Sequence, residues 1–193
     1  MNISRPKSKQ PIPPHATKVF DGHIFSVFQW KQEMYDGSHE VFEKIGRNDT
    51  VTVIPVTEDK KIIITIQEQP GIAEFIGLPG GIMDPGEEPL ESAKRELLEE
   101  TGYEAASYEL FYSTQMHTRI DWAMYSFIAK GCKKIKEPVL DKGEKIALKF
   151  VDFDEFIEML LDERFRDTDL ALRLLRMRHN KEQFEAFKTS LLS

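Results

Sequence analysis

The stretch from Gly80 to Tyr103 constrains this chain more than any other, because a loop rich in glycine and proline runs directly into a helix crowded with carboxylates. Pro79, Gly80, Gly81, Pro85 and Gly86 punctuate a segment that can be neither helix nor central strand. Pro89 falls where proline is welcome, in a helix's first turn, so a helix is predicted to start there. Leu90, Ala93 and Leu97 recur at helical spacing with Leu98 beside them, and Gly102 supplies the stop signal. The helix is predicted to end near Thr101.

On that helix Glu96 and Glu100 project from the same side, close to the edge of the apolar stripe. Like charges at this spacing repel, and a divalent cation is the simplest compensation. Mg²⁺ takes hard oxygen ligands, commonly one or two carboxylates with water and phosphate, and the carbonyls of a glycine loop can join them. Arg95 and Glu99 are spaced to pair on another side. Taken alone, such a helix reads as an ordinary solvated face. The spacing decides otherwise: Gly81, Glu87, Arg95-Glu96, Glu99-Glu100, then Gly102 before an apolar residue. Such a set of fixed positions would coincide by chance on the order of 10⁻⁸ per starting point.

The pattern resembles the Nudix box, and on it the chain is identified as a member of the Nudix hydrolases. The resemblance implies an α+β fold, an α/β/α sandwich with a mixed sheet. It also implies hydrolysis of a nucleoside diphosphate linked to another moiety, assisted by Mg²⁺ or Mn²⁺. Carried over residue by residue, it places Glu96, Glu100, the Gly80 carbonyl and Glu87 at the metal, and Gly81 beside the substrate. Arg95 and Glu99 join the catalytic set.

Composition narrows the partners. A net charge of −7 argues against a broad nucleic-acid surface, which needs many cations to neutralise phosphates, while a small phosphorylated ligand remains compatible. The apolar runs are too short to span a membrane, and the N-terminal residues lack a secretory hydrophobic core, so a cytoplasmic location is expected. Cys132 is the only cysteine, which excludes an internal disulfide and reads as structural.

Three segments are expected: a loose arm over residues 1–16, a small antiparallel unit over 17–47, and a main domain over 48–193 with helices at its end. The arm carries Pro6, Pro11, Pro13 and Pro14. In the unit, strand-like runs surround Phe25, Phe28 and Trp30, then an Asp36-Gly37 turn, then Val41 to Ile45. ADP-ribose pyrophosphatases, one Nudix branch, have such a sheet and exchange it between subunits, so the resemblance implies a homodimer. Phe28 and Trp30 alternate to one strand face, which either stacks on a nucleobase or buries area in a core or interface. Arg47 sits where that branch commonly has an arginine touching the ligand.

Residues 51–56 and 61–66 read as a hairpin of central strands. The following Gln67-Glu68-Gln69 resembles the branch's Glu-Gln stretch, but Pro70 and Gly71 stand where the branch has an aromatic and an arginine. After the box, residues 109–112 and 122–129 read as strands, with 113–119 as the loop between them. There His117 is a candidate proton shuttle or base contact and Arg119 a phosphate contact. In the acidic loop before the strand ending at Val151, Glu144 matches the glutamate that serves that branch as general base or extra metal ligand, with Asp141 as the alternative. Three helices should follow, the first capped by Asp152 or Asp154, the second opening at Thr168 or Asp169, the third spanning residues 182–192. The departures leave room for dinucleoside polyphosphates, NADH or capped ends as substrates. A nucleotide-sugar sensor without activity is the rival from another class, although such modules lose the box carboxylates that this chain keeps.

Overall fold

The central strands are buried almost without a break, which requires a packed layer on each face of the sheet they form. The computed structural model describes residues 3–193. In chain order the strands are β1 (Thr17–Asp21), β2 (Phe25–Glu33), β3 (His39–Arg47), β4 (Thr50–Thr57), β5 (Ile62–Gln69) and β6 (Ile72–Gly77). Helix α1 (Pro89–Thr101) is followed by β7 (Tyr103–Glu104), β8 (Ser107–Gln115), β9 (Ile120–Asp121), β10 (Ala123–Lys134) and β11 (Lys145–Val151). Three helices close the chain: α2 (Phe153–Met159), α3 (Thr168–Met177) and α4 (Lys181–Leu192).

The larger sheet runs β11-β5-β4-β10-β7, with β6 added to β5 and β8 to β10. It is mixed, because β10 runs parallel to β4 while the other pairs are antiparallel. Along β4, Val51 and Val53 enter one core with Ala93 and Leu97 of α1. Ile54 and Val56 enter the other, with Phe153, Phe156, Leu170 and Leu191 of the last three helices. The sheet is thus covered on both faces, the expected α/β/α sandwich.

The smaller sheet runs β1-β2-β3-β9. It departs from the purely antiparallel unit expected, since β9 of the main domain joins β3 in parallel. Cross-strand pairing puts Phe25, Val27, Val41 and Ile45 on one face, with Phe20 opposite Val27. The other face carries Trp30 and Lys44, both buried. Lys44 donates to the Ser8 hydroxyl at 2.7 Å and to the Gln10 carbonyl, so the N-terminal arm lies over that face. Residues 3–16 form no helix or strand, yet Arg5 grips Asp49 through two hydrogen bonds of 2.7 and 2.9 Å and reaches Asp121 at 3.1 Å.

Sequence and structure agree on α1. Its C-cap is Gly102 at φ 75°, a left-handed conformation that a side chain would strain, and its N–H returns to the Leu98 carbonyl. Asp152 caps α2 by accepting from the Glu155 N–H. Helix α3 opens at Thr168 as expected, preceded by Asp167, which makes no side-chain cap bond. One reading needs correction. Residues 113–115 belong to strand β8 rather than a loop, because they continue the ladder with β10. The β4–β5 hairpin splays, with Val56 opposite Ile62 as its registered pair. Into the opening comes the glycine loop, whose Gly81 exchanges both backbone hydrogen bonds with Val51, while Val53 donates to the Pro79 carbonyl.

Candidate active site

Because β4 hydrogen-bonds the loop from Pro79 to Ile82, the start of the box is fixed against the sheet and the end of α1 is brought over it. Gly80 donates its N–H to Glu100 Oε2 at 3.1 Å. A side chain at Gly81 would place its Cβ 2.7 Å from the Glu96 carboxyl carbon, so any other residue there would displace that carboxylate from its present position. These contacts open a cleft of about 660 Å³ that also takes in Arg95, Glu99, Asp141 and Glu144.

Arg95 organises the acidic wall. It donates to both oxygens of Glu87 at 2.9 Å, to Glu96 at 2.8 Å, to Glu99 at 3.1 Å and to the Ile82 carbonyl at 3.2 Å. That bond holds the Glu87 carboxyl down at about 2. The two carboxylates expected at the metal behave in the opposite way. Burial, opposed by Arg95 and aided by Glu99 and Glu144, pushes Glu96 up to about 7. Burial and then the Glu96 charge push Glu100 up to about 9. Both carry a charge deficit that a cation would relieve.

Glu144 also lines this cleft. Its loop is closed in both directions, the Glu144 N–H donating to the Asp141 carbonyl and the Asp141 N–H to the Glu144 carboxylate. The Val139 N–H donates to the Glu99 carbonyl, which ties that segment to α1. Arg47 also lines the cleft, its guanidinium 4.4 Å from the Trp122 ring centroid and 5.7 Å from that of Phe25. Its buried Nε has no partner among the described residues, and burial lowers its proton affinity.

Four predicted contacts lie elsewhere in the single chain. Trp30 packs against Phe42 and donates to Gln32, while Phe28 lies over Gly46. His117 accepts from the Arg119 N–H at the edge of a second hollow under the arm, and the Arg119 guanidinium faces Phe42. Gln67 of the Gln-Glu-Gln stretch lines the cleft, which also recruits residues the sequence did not single out. Phe75, Arg166 and Asp167 line it, and burial pushes Asp167 up to about 6. Asp167 accepts from the Leu78 N–H, a partner 89 residues away in sequence, so no local signal marks it.

With an acidic box beneath a splayed hairpin, the fold and site define a diphosphate-hydrolase architecture. The NUDIX domain model matches residues 46–174, and the chain belongs to that family. Within it the chain resembles the ADP-ribose pyrophosphatase branch. It is 28% identical to the ADP-ribose pyrophosphatase of Bacillus subtilis over 178 residues, covering 89% of this chain and 94% of that one. It is also 28% identical to the methanol dehydrogenase activator of Bacillus methanolicus, covering 83% and 89% of the two chains. A crystal structure of an ADP compounds hydrolase superposes with a TM-score of 0.71 over 92% of this chain and 98% of that one, at 22% identity. Nudix hydrolases act on small nucleotide substrates and generally use divalent metals. Among the described residues no helix is long and apolar enough to cross a membrane.

The oxygen donors present fit a divalent ion. Among the described residues no three His, Cys, Asp or Glu side chains gather at one point. An ion here would therefore take Glu96 and Glu100, and complete its shell with backbone carbonyl, water and substrate oxygen.

Proposed function

We propose that this protein hydrolyses the diphosphate of a nucleoside diphosphate linked to a second moiety, ADP-ribose foremost, with Mg²⁺ or Mn²⁺ at Glu96 and Glu100. The observation that carries this reading is the convergence, in one cleft, of those two charge-deficient carboxylates with an arginine, Arg47, that has no carboxylate partner among the described residues. When bound, the metal would lower the pKa of water and neutralise charge on the phosphates. The chain's own residues do the rest. Glu144 accepts the proton of the attacking water, Arg95 fixes the box carboxylates, and Arg47 orients a phosphate. Water attacks one phosphorus and the bridging P–O bond breaks, leaving a nucleoside monophosphate and a sugar phosphate. A cytoplasmic setting, where nucleotides are held, goes with this reading.

Incubation with a panel of nucleotide sugars, dinucleoside polyphosphates, NADH and capped RNA, scored by phosphate released after phosphatase coupling, tests it. ADP-ribose is expected to yield AMP and ribose 5-phosphate. Silence across the panel overturns the reading and favours the sensor.

We also propose a homodimer built on the smaller sheet. Supporting it, Phe20 is 57% and Val41 65% exposed on the face they share with Phe25, Val27 and Ile45. Light scattering is expected to give about twice the 22.3 kDa chain mass. Val41→Asp should halve the particle while keeping the circular dichroism of the fold. A wild-type monomer at micromolar concentration would sink the assignment.

A further inference from the structure

Of the arginines that line the cleft, Arg95 is saturated by carboxylates, which leaves Arg47 and Arg166 without an ion pair among the described residues. Arg166 is held in place by its backbone. Its N–H donates to the Ile76 carbonyl at 2.9 Å, and the Ile76 N–H donates to the Arg164 carbonyl at 2.9 Å, so residues 164–166 dock on β6 like a short strand. Phe165 between them is buried in the core. The Arg166 guanidinium lies 4.0 Å from the centroid of Phe75, itself buried at 8% exposure. Among the described residues the Arg166 side chain makes no hydrogen bond or ion pair, although Asp167 follows it and Asp141 and Glu144 share the cleft. Arg164, two residues earlier, shows the contrast: it is spent on Asp162 and Glu74.

A guanidinium seated on an aromatic ring keeps its planar fork of N–H groups free for an oxyanion, and it loses little freedom when it binds one. We propose that Arg166 is a substrate-binding residue, donating that fork to phosphoryl oxygens of the diphosphate, with Phe75 as the platform that sets its angle. This rests on the diphosphate reading above. Together with Arg47 it gives the cleft two free cations for a group that carries two negative phosphates, while Glu96 and Glu100 remain for the metal. Discrimination should follow: a ligand without phosphate gains nothing from Arg166.

Steady-state kinetics on ADP-ribose with Mg²⁺, beside calorimetric binding of ADP and of adenosine, tests the assignment in the full-length protein. Arg166→Ala is expected to raise KM and weaken ADP binding by at least about tenfold, with kcat changed by less than about threefold and adenosine binding unchanged. Arg166→Lys keeps the charge but not the fork, so it should fall between the two. Phe75→Leu should weaken ADP binding in the same direction, and Arg164→Ala should match wild type. Should the wild-type protein cleave no member of the panel, the hydrolase reading fails, yet ADP binding that depends on Arg166 still upholds the contact. Equal ADP affinity in wild type and Arg166→Ala, or no ADP binding by wild type, overturns it.

Discussion

Replacing Glu100 with glutamine is expected to lower turnover by on the order of 10² or more while leaving the metal-free protein at least as stable as wild type. Glutamine keeps the shape and can still accept from the Gly80 N–H, so the loop contact survives. What it removes is a buried carboxyl whose proton affinity the fold has raised to about 9. The sign of the pH effect follows from that direction. The folded state holds a proton that the unfolded state releases above its ordinary carboxylate range. The stability contribution is therefore complete below that range and drains, at about 1.4 kcal/mol per pH unit, as pH rises toward the folded value. In EDTA, then, wild type should melt progressively lower than Glu100→Gln between pH 5 and about 9, and the two should converge near pH 4. Added Mg²⁺ should raise the wild-type melting temperature by mass action and raise that of the variant much less. Glu91→Gln serves as the control, because Glu91 is exposed and pairs with Lys94 away from the cleft. Melting curves in EDTA and in Mg²⁺, run beside a turnover assay, decide the matter. Wild-type activity and an undiminished Mg²⁺ response in Glu100→Gln would make α1 only a charged surface.

What could be read from the sequence was what is local. The bounds of α1, the cap at Gly102, and the juxtaposition of Gly81 with Glu96 all follow from residues within one loop and one helix, where spacing translates directly into geometry. The wall made by Phe75, Arg166 and Asp167 was not legible, for two physical reasons. Strand β6 begins with three exposed residues, so it carries little of the apolar signal by which strands are recognised. Its partner segment, residues 164–166, becomes strand-like only by docking on it from far along the chain. The hairpin of β4 and β5 fell between these cases. Its strands were evident, but their splaying depends on the glycine loop that enters between them, and no propensity encodes that. Phe28 and Trp30 show the limit of face-counting: alternation put them on one face correctly, and only the arm held by Lys44 reveals that this face is covered.

Arg95→Met should be the most damaging single change in the cleft for stability, and it should lower activity as well. The guanidinium is about a quarter exposed and ties Glu87, at the loop, to Glu96 and Glu99, on the helix. Methionine fills much of the volume but leaves three carboxylates facing one another, and breaking such a partly buried cluster by removing its cation costs on the order of 3 kcal/mol. Glu87 supplies the pH signature. Its carboxyl is held at about 2 in the folded protein, so the stability it contributes is fully present above its unfolded value and is lost as pH falls toward the folded one. The gap in stability between wild type and Arg95→Met should therefore be widest near neutral pH and should close below about pH 4, the opposite end from the Glu100 effect. Turnover should fall by on the order of 10², because Glu96 loses the bond that aims it across Gly81. Arg95→Lys separates charge from geometry: one ammonium cannot grip Glu87 through both oxygens and also reach Glu96 and Glu99, so it should recover much of the stability and little of the turnover. If Arg95→Lys instead recovers turnover in full, positive charge alone is what the cleft requires of this position, and the fork-like grip seen on Glu87 is incidental.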